Sequence, residues 1–247
     1  MIPVSVVIIV KNGIEHIEAC LKSLALFDEI VVYDNGSVDG TVEVCQKFKN
    51  VTLVEGEFFG FGPTKNHAVS LAKHKWVFSL DSDEIVTEAL VEEIRSLSLD
   101  EEKVYAVKRD NYYGKRVIRC CGWENDYVLR LFCKEKVQFN HKQVHEGLVL
   151  NGAGTEKLRH SLKHFSFKSA EELIHKMQQY STLYALENKG RKKSSSLKAF
   201  GRALFSFVKN YIFQKGFLYG YEGLIISVSN ANGVFYKYIK LLEENRK

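Results

Sequence analysis

Proline is almost absent from this chain of 247 residues: only Pro3 and Pro63 occur, against 17 glycines. With 45% hydrophobic and 26% charged residues, the composition excludes a collagen-like repeat or a disordered chain and leaves an ordinary globular protein. There is no C-x-x-C spacing. The five cysteines (Cys20, Cys45, Cys120, Cys121, Cys133) are odd in number and two of them are adjacent, which suits neither a zinc knuckle nor a simple disulfide framework. Free thiols in a reducing compartment are expected. Long apolar runs are missing too. The first ten residues carry no basic residue ahead of their apolar stretch and no small-residue cleavage site, and the longest uncharged run is Gly223 to Tyr236. Both fall short of the roughly 20 residues a bilayer demands, so neither a transmembrane helix nor a leader is expected. No internal repeat occurs.

Acidic residues are scarce in one region. From Lys157 to Lys215 thirteen Lys and Arg stand against three Glu, although the whole chain carries only +5. A basic excess of this kind points to phosphate, anionic lipid or nucleic acid, and composition alone does not choose among them. Two nucleotide fingerprints are also missing. Lys11-Asn12-Gly13 follows the first apolar run where a dinucleotide site would show G-x-G-x-x-G. The glycine-rich stretch Phe59-Gly60-Phe61-Gly62-Pro63-Thr64-Lys65-Asn66 is not a Walker loop, and it reads either as a connector or as a turn opening a helix whose N-terminus faces a phosphate.

What is present alternates between two periods. Val4–Val10, Glu29–Asp34, Val51–Val54 and Trp76–Leu80 read as strands. Between and after them, Ile14–Leu24, Thr41–Phe48, Thr64–Lys73 and Thr87–Leu97 read as helices. This βαβαβαβ order predicts an α/β fold with a mostly parallel sheet flanked by helices. Beyond Lys103 the segments Val104–Val107, Arg116–Arg119 and Tyr127–Phe132 look hairpin-like. Ser169 with Glu172 forms an S-x-x-E capping box that opens a helical region. The expected division is a catalytic domain over 1–165 and a basic, aromatic helical extension over 166–247. There Phe200, Leu204, Phe207, Val208 and Tyr211 share a helical face among Lys198, Arg202, Lys209 and Lys215, which suits either an anionic lipid surface or packing on the catalytic domain.

One short stretch poses a chemical problem. The apolar strand Trp76–Leu80 runs straight into Asp81, Asp83 and Glu84, three carboxylates within four residues. Burying unpaired like charges is costly, so a positive partner is required. In an open parallel sheet ligands bind beyond the carboxyl ends of the strands, where Asp34 also falls. The Asp-x-Asp turn could offer two carboxylates to a hard cation such as Mg²⁺ or Mn²⁺, or could simply be a turn before a helix N-terminus.

Taken together, Ser-Val-Val-Ile-Ile-Val-Lys-Asn at 5–12, Asp-Asn-Gly-Ser-Val-Asp-Gly-Thr at 34–41, Gly-Phe-Gly-Pro-Thr-Lys-Asn at 60–66 and Leu-Asp-Ser-Asp-Glu at 80–84 resemble glycosyltransferase family 2. The resemblance extends to its lipopolysaccharide core β-1,4-glucosyltransferase branch. Gly122-Trp123 with Asp126, Leu129–Phe132, Val144-His145-Glu146, His164-Phe165-Ser166 and Gly216–Leu218 carry the likeness through nearly the whole chain. It implies a GT-A (Rossmann-like) fold and an inverting, metal-dependent hexosyltransferase using Mg²⁺ or Mn²⁺. The implied reaction takes a hexose, glucose by this likeness, from a UDP-sugar to an inner-core heptose. By this resemblance Asn12, Asp34, Asp39, Lys65 and Asp81 would bind the donor. Asp83, Asp81 and His164 would hold the metal, and Glu146 would be the base, with Asp126 as the other candidate. His145 would be a positioning residue. Gly13 and Val38 depart from the family, which usually has an acidic residue and Thr there. The acceptor would be a lipid-linked core oligosaccharide, placing the protein in the cytoplasm at the inner face of the inner membrane, with the basic extension on the anionic surface and no nucleic acid partner. The alternatives are a transferase of the same fold acting on another glycan or a peptide, and a non-catalytic nucleotide or polyanion-binding module. A sugar nucleotidyltransferase would want a glycine-rich basic loop after the first strand, and Lys11-Asn12-Gly13 offers too little.

Overall fold

The computed structural model describes residues 1–140 and 146–247. The chain divides into two compact units, Met1–Arg109 with Tyr127–His164, and Asp110–Asp126 with Phe165–Lys247. The hairpin around Arg116 therefore groups with the C-terminal helices.

The first unit begins as the alternation predicts: β1 (Ile2–Val10), α1 (Ile17–Ser23), β2 (Phe27–Asp34), α2 (Thr41–Cys45), β3 (Val51–Glu55), α3 (Phe61–Ser70) and β4 (Trp76–Asp81); a short strand that the alternation did not include, β5 (Glu84–Val86), then precedes α4 (Glu88–Ser96). α3 starts three residues earlier than its periodicity suggests. Pro63 lies in its first turn, where the missing N–H would be unpaired in any case. Thr87 caps α4, its hydroxyl accepting from the Leu90 amide at 3.3 Å. Then follow β6 (Lys103–Tyr113), β7 (Arg116–Val117), β8 (Tyr127–Cys133), β9 (Gln138–Phe139), β10 (Leu148–Val149) and β11 (Gly154–Phe167).

Among the described residues one sheet runs β3-β2-β1-β4-β8-β6-β11-β5, with β7 paired to the far end of β6. It is mixed. β1, β2, β3 and β4 pair in parallel, and antiparallel pairing begins at β4–β8. β4 and β5 are joined by only Ser82 and Asp83, a connection of roughly 10 Å at full stretch, yet three strands at about 4.8 Å spacing lie between them in the order. The sheet must therefore curl, and the acidic turn sits at its seam.

The continuous apolar run of β1 has its expected cause. Val6 and Ile8 enter one core with Leu21 of α1, Leu24 just after it, and Leu90 and Ile94 of α4. Val7 faces the other way, into a second core with Val31, Ala68 and Val69 of α3 and Phe132. A strand covered on both faces needs no polar alternation, and each fully buried side chain of this size contributes about 1.5–3 kcal/mol.

The second unit holds α5 (Ala170–Asn188), α6 (Ser196–Val208), a π-turn (Lys209–Phe213), a 3₁₀ turn (Gly216–Tyr219) and α7 (Gly220–Glu244), with α7 packed on both α5 and α6. The capping box at Ser169 forms with a shift. Its hydroxyl accepts from the Glu172 amide at 3.5 Å, while Glu172 reaches back to the amide of Lys168 at 2.7 Å. All five cysteines are free and buried. Among the described residues no helix is long and apolar enough to cross a membrane.

Candidate active site

The strand register places Asp34 beside Val10 and Asp81 beside Ile9, so the two carboxylates flank the carboxyl end of β1. Asp34 is only 1% exposed. Its Oδ2 accepts from the amides of Gly36 and Ser37 at 2.9 and 2.8 Å, and its Oδ1 from the Ser37 hydroxyl at 2.5 Å. It shapes the turn that follows β2. Ser37 Oγ accepts in turn from the Asn12 amide at 2.7 Å, and Asn12 Oδ1 accepts from the Val38 amide at 2.9 Å. Asp39 completes the stitching by accepting from the amide of Ile14 at 3.1 Å and from the Thr41 hydroxyl at 2.5 Å. The Thr41 hydroxyl, helped by the amides of Ile14 and Thr41 and opposed by burial, holds the Asp39 carboxyl below its ordinary pKa. Gly13 belongs to the same loop, where a Cβ would lie 2.6 Å from Val10 Cγ2.

Beside this loop lies a cavity of about 360 Å³ lined by Ile9, Val10, Lys11, Asn35, Phe58 and Phe61. The rings of Phe58 and Phe61 meet edge to face at 5.1 Å and remain exposed, presenting an aromatic edge to the cavity. Phe61 falls inside the Gly60–Asn66 motif, whereas Phe58 carries no periodic or motif signal and sequence reading passes it over.

The acidic knot has a different balance from the one the sequence suggests. Arg130 of β8, 5% exposed, donates through Nη2 to Asp81 Oδ2 and to Glu84 Oε1, each at 2.5 Å. Lys65 of α3, equally buried, donates to Asp81 Oδ1 at 3.2 Å and to Glu146 Oε1 at 2.8 Å. With Arg109 Nη1 3.7 Å from Glu84 Oε1, cations from the protein itself thus neutralise the carboxylates that end the apolar strand. Burial opposes the charge of Asp81, but Arg130 and then Lys65 outweigh it and hold the carboxyl well below its ordinary value. For Glu84 burial wins over the pull of Arg130 and pushes the carboxyl up, helped by neighbouring Asp81. Burial also works against Lys65, but Asp81 and Glu146 keep its ammonium above the ordinary value. The missing signal was Arg130 itself, a charged residue flanked by Leu129 and Leu131 in an otherwise apolar strand.

Glu146 lies just before β10, on the connection from β9. Asn66, next to Lys65 on α3, clamps that connection by donating to the Phe139 carbonyl and accepting from the Phe139 amide, both at 2.8 Å. The residues 141–145, His145 among them, lie outside the described residues. Asp83 faces His164 Nε2 at 3.6 Å with 38% of its side chain exposed. A carboxylate oxygen and an imidazole nitrogen at this separation suit a divalent cation. Among the described residues no group of three or more His, Cys, Asp or Glu could hold a metal by itself. Asp126 lies in the second unit, where its Oδ2 accepts from Asn111 Nδ2 at 2.8 Å.

Residues 5–146, more than half of the chain, match the model of glycosyl transferase family 2. The chain belongs to glycosyltransferase family 2. This transferase is 28% identical to the lipopolysaccharide core biosynthesis glycosyltransferase LpsC of Rhizobium meliloti, over 99% of its own length and 93% of that protein. It is equally 28% identical to an uncharacterised glycosyltransferase of Rickettsia typhi, over 99% of its length and 88% of the relative's. The crystal structure of S. aureus TarS 1–349 in complex with UDP-GlcNAc superposes with a TM-score of 0.55 at 15% identity, covering 98% of this transferase and 89% of that chain. At that identity the likeness is one of fold, and the fold is GT-A.

Proposed function

We propose that this transferase moves glucose from UDP-glucose to an inner-core heptose of lipopolysaccharide with inversion at the anomeric carbon. The observation that carries this reading is the convergence of Lys65, Asp81, Arg130 and Glu146, with a base-sized cavity beside them, at the carboxyl ends of β1, β2 and β4. The LpsC likeness supports the acceptor class, and the UDP-GlcNAc bound by TarS supports a UDP-sugar donor.

In this reading the uracil enters the cavity edged by Phe58 and Phe61, and the loop held by Asn12, Asp34 and Asp39 forms its rim. Lys65 and Arg130 supply positive potential, and Asp81 fixes both cations in place. Asp83 would bind Mg²⁺ or Mn²⁺, with His164 as a second protein ligand. Such an ion, when bound, supplies charge stabilisation to the departing diphosphate. Asp81 is engaged by Lys65 and Arg130, so its part is to orient them. Glu146 takes the proton of the acceptor hydroxyl as that oxygen bonds to C1, while the C1–O bond to UDP breaks and its electron pair leaves with UDP. Inversion needs this one displacement and no covalent intermediate. Lys65 holds the Glu146 carboxylate for the task. The basic loop of Lys189, Arg191, Lys192 and Lys193, with Arg202, would bring the protein peripherally to the anionic inner face of the inner membrane, where a lipid-linked acceptor is met.

Labelled UDP-sugars incubated with Mn²⁺ and lipid-linked acceptors of defined core length test the reading. Transfer from UDP-glucose to a heptose-terminated acceptor is expected. Neither binding nor hydrolysis of any UDP-sugar would reject it.

A further inference from the structure

The second unit carries an apolar surface that neither its core nor the active site uses. From Lys189 to Tyr221 the chain holds eight Lys and Arg and no Asp or Glu. Within this stretch α6 has three distinct faces. Ala199 is buried on the side where α6 packs against α7. Leu197, Phe200, Leu204 and Phe205 form a second stripe that stays in solvent, Leu197 to 81%. Lys198, Arg202 and Lys209, at i, i+4 and i+11, run along the edge of that stripe. Phe207 and Tyr211, which periodicity groups with Phe200 and Leu204, stack on each other at 5.3 Å and are partly buried.

The apolar surface continues past the helix on a braced backbone. The π-turn turns Asn210 inward, where its Oδ1 accepts from Asn230 Nδ2 at 2.9 Å, and leaves Phe213 74% exposed. Gly216 and Gly223 then touch backbone to backbone: a Cβ on Gly223 would lie 1.8 Å from the Gly216 carbonyl oxygen. This contact pins the 3₁₀ turn to α7 and holds Phe217 and Leu218 outward, with Tyr221 beyond them 66% exposed. A rigid backbone that presents large side chains to water marks a surface made for a partner.

We infer that residues 197–221 form a bilayer-insertion surface. Phe213, Phe217, Leu218, Tyr221 and the Leu197–Leu204 stripe enter the acyl boundary of an anionic leaflet, and Lys198, Arg202, Lys209 and Lys215 meet its phosphates. Charge chooses the occupant. A second copy seated on the same face would set two acid-free basic rims against each other, whereas a leaflet offers phosphates just above an apolar layer, the same order in which this surface arranges its groups. The inference rests on the peripheral membrane reading and extends it, because electrostatic attachment alone needs no exposed phenylalanine.

The test uses the full chain, with vesicles of phosphatidylglycerol and phosphatidylethanolamine against vesicles of phosphatidylcholine. Sedimentation at low salt and at about 1 M NaCl, where the Debye length is about 3 Å, separates charge from insertion. The unaltered protein should bind the anionic vesicles and keep a measurable fraction of that binding at high salt. The triple variant Phe213→Ser, Phe217→Ser, Leu218→Ser, with its fold checked by circular dichroism, should lose the salt-resistant fraction and bind more than about tenfold more weakly at low salt. A triple variant that binds like the original overturns the insertion and leaves the electrostatic attachment standing; no vesicle binding by the unaltered protein rejects both. Because the native cysteines are all buried, a fluorophore on Phe213→Cys reports independently of the triple variant. Its emission should shift to the blue on anionic vesicles, and an unshifted spectrum overturns the proposal. A dimer dispersed by the triple substitution, without vesicle binding, would assign the face to a second copy instead.

Discussion

Asp81 and Asp83 are one residue apart in the chain, yet Lys65 and Arg130 pair with the first while His164 faces the second. The consequence is a division of labour that variants can read. Asp83→Ala removes a partly exposed carboxylate on which neither Arg130 nor Lys65 depends, so the fold should stand. Titration of UDP-glucose in Mn²⁺ should then show the metal-dependent part of donor affinity gone; unchanged affinity would remove Asp83 from the metal site. For the base, Glu146→Gln keeps the side chain's size and its hydrogen bond from Lys65 but no longer accepts a proton. Donor binding should survive while turnover falls by roughly 10²–10⁴-fold. Asp126→Asn should be milder, and the reverse ranking in the same steady-state assay would move the role to Asp126.

At the scale of elements, α3 does more than cover one face of the sheet. Lys65 and Asn66 are adjacent on it, and they fix the Glu146 carboxylate and the β9 backbone respectively. Replacing Asn66 by Ala leaves both the N–H and the C=O of Phe139 without their side-chain partner, at a cost of about 1–3 kcal/mol. Urea unfolding should show that loss, and turnover should drop while donor affinity holds, because Lys65 and the nucleotide cavity are untouched. Equal losses in donor affinity and turnover would mean that α3 itself had shifted. The helix was legible from its periodicity. Its clamp on β9 was not, since 73 residues separate Asn66 from Phe139.

At the scale of the whole molecule, Arg130 ties the seam of the curled sheet by joining Asp81 at the end of β4 to Glu84 at the start of β5. Arg130→Met should cost about 3–5 kcal/mol, the usual penalty for stranding a buried partner. The pH dependence should change as well. With Arg130 present, the depressed pKa of Asp81 gives stability that is in full above about pH 4 and fades as pH falls through its folded value, while the raised pKa of Glu84 gives a share that is lost as pH rises through its folded value. Without Arg130, burial dominates and raises both carboxyls above their unfolded values, so stability is greatest in mild acid and is lost as pH rises. Melting temperatures of both proteins from about pH 2 to 8 check this. Parallel profiles would show that Lys65 alone neutralises the seam.

The alternation of strands and helices up to Leu97, the capping residues Thr87 and Ser169 and the acidic turn after β4 were all determined by the sequence, because each depends on neighbours within a few positions. The resemblance to glycosyltransferase family 2 implied the GT-A fold. Three features depended on tertiary structure. Curling of the sheet set β5 against β11, which no local pattern encodes. Arg130 and Lys65 reached the acidic turn from 49 and 16 residues away, so the positive charge that the sequence demanded comes from the chain itself. The exposed face of α6 was decided by which side α7 covered: helical periodicity gives the angle between side chains, but only packing decides which of them stay in water.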